Sequence, residues 1–373
     1  MTELRSAVWP AGLVTLALAG SIFCLTWAAP AWSAAGYQAP VGYQVFVTNE
    51  RSGDVTVIDG GDFKVVGTIA VGKRPRGIHV SPDGRTVYVA LSGTPIEGPP
   101  QLDAQGNPIL KKNSRSDDDD DDSKADKSAD GIALVSVAQK KLTGRISAGS
   151  DPEEFVLSKD GTRIYVSNED IRTASVINIA SGKVEHIIPV GREPEGVNVT
   201  PDGKQFYVTC ETGGEVFVID TTSYQVAGHF TVPVRPRSVD FLSAGTIGFI
   251  PSESKGQLNI IDMATPKVLK TVALPAGSRP MKVKVSVDDR RVYVSDGRAG
   301  TVSVIDTQTY EVLATVKVGT RPWGVALSPD GKYLFTANGP SNDVSVVDLA
   351  TNKEITRVKA GESPWGIAVV KIH

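Results

Sequence analysis

The sequence predicts an all-β fold: a seven-bladed β-propeller of four-stranded antiparallel blades, with the C-terminal strand completing the N-terminal blade. Three observations carry this. A Gly-x-x-Pro punctuation, with Pro233 in place of Gly in one copy, recurs with prolines at 75, 152, 194, 236, 280, 322 and 364, spaced 77, 42, 42, 44, 42 and 42 residues apart. Between the prolines lie short apolar runs that alternate with the period of a half-buried strand and end at turn residues. The repeat is also out of phase with the chain ends, which is how a ring of blades removes its two free edges.

Composition agrees. Of 373 residues, 40% are hydrophobic and 22% charged, and 39 Lys/Arg against 42 Asp/Glu leave a net charge of −3. That is ordinary for a globular chain with a large core and excludes wholesale disorder. Gly 37 and Pro 23 favour a turn-rich fold. Two cysteines exclude a disulfide scaffold, and the absence of C-x-x-C-H excludes covalent c-type haem.

Taken in order, residues 1–35 read as a signal peptide. Arg5 precedes an apolar stretch from Ala11 to Ala29, and Ala31-Trp32-Ser33-Ala34-Ala35 supplies the small residues of a peptidase site. The stretch is also near the length of a membrane anchor. Pro30 and the small residues favour cleavage, and a periplasmic or secreted protein is expected. Residues 36–373 form the propeller. It opens on a second strand (Val45-Phe46-Val47-Thr48) and a third (Val55-Thr56-Val57-Ile58), and it ends on a lone first strand, Trp365 to Val370.

One period shows the grammar. Val325-Ala326-Leu327 ends at Ser328-Pro329-Asp330-Gly331, where Pro presets the turn and Gly tolerates its exit. Tyr333 to Thr336, Val344 to Val347 and Glu354 to Val358 follow as three more strands. The long first interval holds an insertion, 93–130, with Asp117 to Asp122 in a row and a charge of −5. It lacks the spacing and distal Glu of a Ca²⁺ loop, so it reads as an acidic, disordered loop.

Several segments carry a resemblance. Tyr165-Val166-Ser167-Asn168, Tyr207-Val208-Thr209-Cys210 and Phe46-Val47-Thr48-Asn49, with Val-x-Val-Ile-Asp at 55–59 and 302–306, resemble the YVTN family of β-propellers. Blade-specific stretches, among them Arg74-Pro75-Arg76-Gly77-Ile78, Asp151-Pro152-Glu153-Glu154-Phe155 and Val190 to Gly196, are similar to the secreted propellers associated with pyrroloquinoline-quinone (PQQ)-dependent alcohol catabolism. That resemblance implies export and a setting near quinone-dependent dehydrogenases and transport systems. It implies no reaction. The acidic insertion and Cys210 depart from the pattern.

The links between blades should gather at one mouth of the central channel. Their residues divide into an acidic arc (Asp151, Glu153, Glu193, Glu195) and a basic one (Arg235, Arg237, Arg279, Arg321, continued by Arg74 and Arg76), with Trp323 and Trp365 between. Guanidinium forks suit carboxylate or phosphate, and tryptophan faces suit a flat ring or a cation. A flat polycarboxylate such as PQQ, or an acidic patch on a partner, would fit. The alternative is that the arcs pair with one another and close the mouth.

Deeper, the fourth residue after each proline offers His79, Asn198, Asp240 and Lys284 to a wet channel. His79 and Asp240 lie three blades apart, too far for one small metal unless the channel is very narrow. No motif calls for a cofactor, PQQ or metal included. Cys210 replaces a turn residue and reads as a semi-exposed spare thiol. No Ser-His-Asp set, phosphate loop or zinc pattern is present.

The expected function is therefore a non-catalytic binding or scaffold propeller, monomeric, engaging a periplasmic dehydrogenase, a transport component or an anionic ligand at the mouth. The alternatives are a lactonase-like metal hydrolase, a haem or quinone oxidoreductase, and nucleic-acid binding. The charge of about +2 outside the insertion argues against the last.

Overall fold

A computed structural model describes residues 42–96 and 125–372. The expected signal peptide (1–35) and most of the acidic insertion lie outside the described residues. Numbered in chain order, the 28 strands of the described residues form seven four-stranded antiparallel sheets. In the first sheet β28 (Pro364–Lys371) pairs with β1 (Tyr43–Asn49), followed by β2 (Asp54–Asp59) and β3 (Val65–Ala70). The C-terminal strand thus completes the N-terminal blade, as the phase of the repeat predicts.

The innermost strands of the other blades are β4 (Pro75–Val80), β8 (Pro152–Leu157), β12 (Pro194–Val199), β16 (Asp240–Phe241), β20 (Pro280–Val285) and β24 (Pro322–Leu327). The core lies between blades. Phe46, Val55 and Val57 of the first sheet, for example, pack on Val87, Val89 and Leu91 of the second, all fully buried. Each sheet is apolar on both faces and is stable only between neighbours.

In three blades the Thr or Ser that precedes the last residue of the second strand pins the blade to the next. Thr48 donates to the Arg76 carbonyl at 2.8 Å, Ser167 to Glu195 at 2.9 Å and Ser295 to Trp323 at 2.7 Å. Every acceptor is the residue just after a link proline. Pro251 occupies the same place in the fifth blade and has neither hydroxyl nor N–H. That blade's inner strand shrinks to Asp240–Phe241, and Ser238 makes the inter-blade bond instead, to Met281 at 3.0 Å. Two positions after the proline stand Gly196, Gly324 and Gly366. A Cβ there would lie 2.6, 2.6 and 2.3 Å from the next blade's carbonyls.

The insertion leaves between β5 (Thr86–Leu91) and β6 (Gly131–Ser136). Its flanks are tied together: the Gly93 amide donates to Asp130 at 2.7 Å, and Lys127–Ala129 form one 3-10 turn.

Candidate functional site

All seven links do meet at one end of the channel. The residue before each proline is forced into the left-handed region: Arg74, Asp151, Glu193, Arg235, Arg279, Arg321 and Ser363 have φ between 45° and 64°. Non-glycine residues resist that conformation. It is held by a recurring bond in which the carbonyl of the left-handed residue accepts from the amide just beyond the second strand, as Glu193 does from Glu211 at 2.9 Å.

The residues just after the prolines are Arg76, Glu153, Glu195, Arg237, Met281, Trp323 and Trp365. They converge on the axis and close it. All are buried except Arg237 and Trp323, which are half-buried. The acidic and basic arcs face inward and pair. Arg76 is 2% exposed and bridges Asp151 and Glu153. Arg74 binds Glu50 at 2.9 Å. Arg237 contacts Glu195 at 2.8 Å, Glu253 at 2.7 Å and Glu211. Arg235 bridges Glu211 and Glu253 at 2.7 and 3.0 Å, and Arg279 reaches Glu253 at 3.2 Å. Glu193 remains half-buried beside the Thr212 hydroxyl.

The carboxylates Asp151, Glu153 and Glu169 come close enough to hold a cation. The Arg76 guanidinium already occupies that place. Burial pushes the Glu195 and Glu253 carboxyls up, but the arginines beside them win and hold both below the usual range. Glu211 goes the other way, because burial and Glu195 outweigh Arg237.

Arg321 differs from the other mouth arginines. Among the described residues it has no carboxylate within ion-pair distance. It lies 4.9 Å over the Trp323 ring, which stacks on Trp365 at 5.6 Å with Arg237 nearby. Burial, then repulsion from Arg237, lowers its pKa.

Below this layer the channel widens to a cavity of about 620 Å³ that contains all four expected lining residues. Each is tied to a neighbouring blade. Asn198 donates to Asp240 at 3.2 Å and to the Val239 carbonyl at 3.0 Å, and Lys284 pairs with Asp240 at 3.0 Å. His79 bonds Glu154 at 3.1 Å. Since His79 and Asp240 have separate partners, the structure brings together no His79–Asn198–Asp240 ligand set.

Glu154 and Lys282 were not anticipated. Both stand two residues after a link proline, where four blades have Gly and one has Ser, and they form an ion pair across the channel, three blades apart. Burial would raise the Glu154 carboxyl, but Lys282 and His79 bring it down to about 2. The glutamates Glu50, Glu169, Glu211 and Glu253 were also missed. They share one signal: each directly follows a second strand. Cys210 is a correction. It is fully buried against Gly191 rather than semi-exposed, and burial pushes its thiol up to about 12, so it is inert.

Comparison with known proteins follows the same lines. Residues 247–372 match the model of the YNCE-like beta-propeller, and residues 41–193 match that of the choice-of-anchor I domain. No curated protein matches. Among solved structures, hydrazine synthase of Kuenenia stuttgartiensis is 22% identical with a TM-score of 0.68, over 82% of this chain and 92% of that one. The periplasmic gluconolactonase of Pseudomonas aeruginosa is 18% identical with a TM-score of 0.66, over 89% and 100%. These likenesses establish the propeller fold. Among the described residues no helix is long and apolar enough to cross a membrane.

Proposed function

We propose that this is a non-catalytic binding propeller acting outside the cytoplasm, accessory to PQQ-dependent dehydrogenase or transport systems. In this reading it receives a carboxylate-bearing flat ligand such as PQQ, or an acidic patch of a partner, at one sector of the mouth. The observation that carries it is Arg321, a guanidinium without a carboxylate, set over the Trp323–Trp365 stack, where the other mouth arginines are neutralised. An incoming carboxylate would find a fork of donors and an aromatic wall there. The blades fix both beforehand, so little ordering entropy is lost on binding.

The hydrolase alternative has less behind it. His79 and Glu154 form a bonded pair, but Lys282 holds Glu154 ionised, and no hydroxyl or thiol among the described residues is hydrogen-bonded to His79.

Three of the five tryptophans lie in residues 1–35, so the exported chain would report on the mouth alone. Titration with PQQ is expected to quench its fluorescence saturably, and Arg321→Ala to abolish the effect. Unchanged fluorescence, together with equal capture of periplasmic proteins by both forms, would refute the reading.

A further inference from the structure

We infer that the channel behind the mouth is a second binding site, sharing the Trp323–Trp365 layer as part of its lining: a blind well, entered from the face opposite the Gly-x-x-Pro links and suited to a small organic anion with an apolar body. The floor is the closed layer of Arg76, Glu153, Glu195, Arg237 and their neighbours, with the Glu154–Lys282 bridge spanning the axis next to it. At the other end the lining residues are open to solvent: Val287 is 78% exposed, and Lys371 is exposed as well. A cavity of about 620 Å³ is in the range of small-molecule sites. Its walls are largely valine, including Val80, Val156, Val197, Val239 and Val285.

The polar groups select the ligand's charge. Asp240 accepts from Asn198, from Lys284 and from the amides of Phe241 and Val285, which uses the sites a carboxylate has. Glu154 accepts from His79, Lys282 and the Phe155 amide and is 4% exposed. Neither carboxylate can take a cation without losing its present partners.

The lysines are different. Each ammonium has three N–H groups and makes one carboxylate contact, and the Lys282 and Lys284 side chains are 30% and 44% exposed. The unused hydrogen-bonding capacity of the well is therefore donor capacity, set among apolar walls. A carboxylate, sulfonate or phosphate head on an apolar body satisfies both; a metal ion or an organic cation satisfies neither.

The test uses two fluorescent probes on the full chain, anilinonaphthalene sulfonate and its uncharged analogue N-phenylnaphthylamine. The sulfonate is expected to bind one per chain and saturably, and the neutral probe more weakly. Lys284→Met should raise the sulfonate's Kd by roughly tenfold or more, the worth of one charge-assisted hydrogen bond. The neutral probe should be unaffected, and Lys284→Arg should retain the sulfonate. Exposed Lys64→Met serves as a control, and circular dichroism confirms that each variant is folded. If the two probes bind alike and Lys284→Met changes neither, the well has no anion preference and the inference fails. It also fails if neither binds saturably.

Discussion

The two ends of the channel use the same residue types to opposite effect. At the link end Arg76 and Asp151 are each 2% exposed, and Asp151, Glu211 and Glu253 are each shared between guanidinium groups. At the open end Lys284 pairs with Asp240 while its side chain stays 44% exposed. The link end spends its charge on joining blades, because arginine's planar fork can serve two carboxylates from neighbouring sheets. The open end keeps flexible ammonium groups with N–H bonds to spare. A charged ring read along the sequence therefore does not by itself mark a recognition surface; burial decides between the two uses.

The largest expected effect tests that contrast. Arg237→Met leaves buried Glu195 without a cation and removes one of the guanidinium partners of Glu211 and Glu253, and should lower the unfolding free energy by roughly 3–5 kcal/mol. Lys284→Met, at a partly exposed pair, should cost about 1 kcal/mol or less. Denaturant titration of both variants measures the difference, and similar small losses would mean that the link end is not sealed by its ion pairs.

A second change should act in the opposite direction. Asp296 stands where three other blades have Asn, and its carboxylate accepts from Thr301 and Ser303 at 3.0 and 2.7 Å. Asn168, at the same place, donates to Thr173 and Ser175 instead. Burial, only partly offset by those hydroxyls, raises Asp296 from 3.8 to about 6. A raised folded-state pKa contributes stability below pH 3.8 that is lost as pH rises through about 6. Asp296→Asn should therefore stabilise the protein by roughly 3 kcal/mol at pH 8, following the size of the shift, and change little near pH 4. Unfolding midpoints across that range check it; a gain independent of pH would locate the effect elsewhere.

How much of this was legible follows from what repeats. The strands, the ring closure and the gathering of the links rest on a 42-residue period, and a period survives substitution at single sites. That the arcs pair with one another was one of two readings left open by the sequence; which residues complete the pairing was not legible. The partners Glu50, Glu169, Glu211 and Glu253 belong to a different turn of the repeat, and only the fold brings that turn against the links. Which end opens depends on seven side chains from seven blades, Arg76 to Trp365, whose summed bulk no local pattern expresses. Glu154 and Lys282 could have been found as the two departures from Gly or Ser at their position. Their contact across the axis required the channel's width.

The most direct test of a closed link end and an open well compares two cysteines placed three residues apart on β20, Met281→Cys and Lys284→Cys, with buried Cys210 as the internal reference. Met281 is 3% exposed in the closing layer, and Lys284 faces the well. A small charged thiol reagent should modify the cysteine at 284 at a rate near that of free cysteine, and the one at 281 only on the timescale of unfolding. Equal, rapid modification at both positions would contradict the account, because the link end would then be open to solvent.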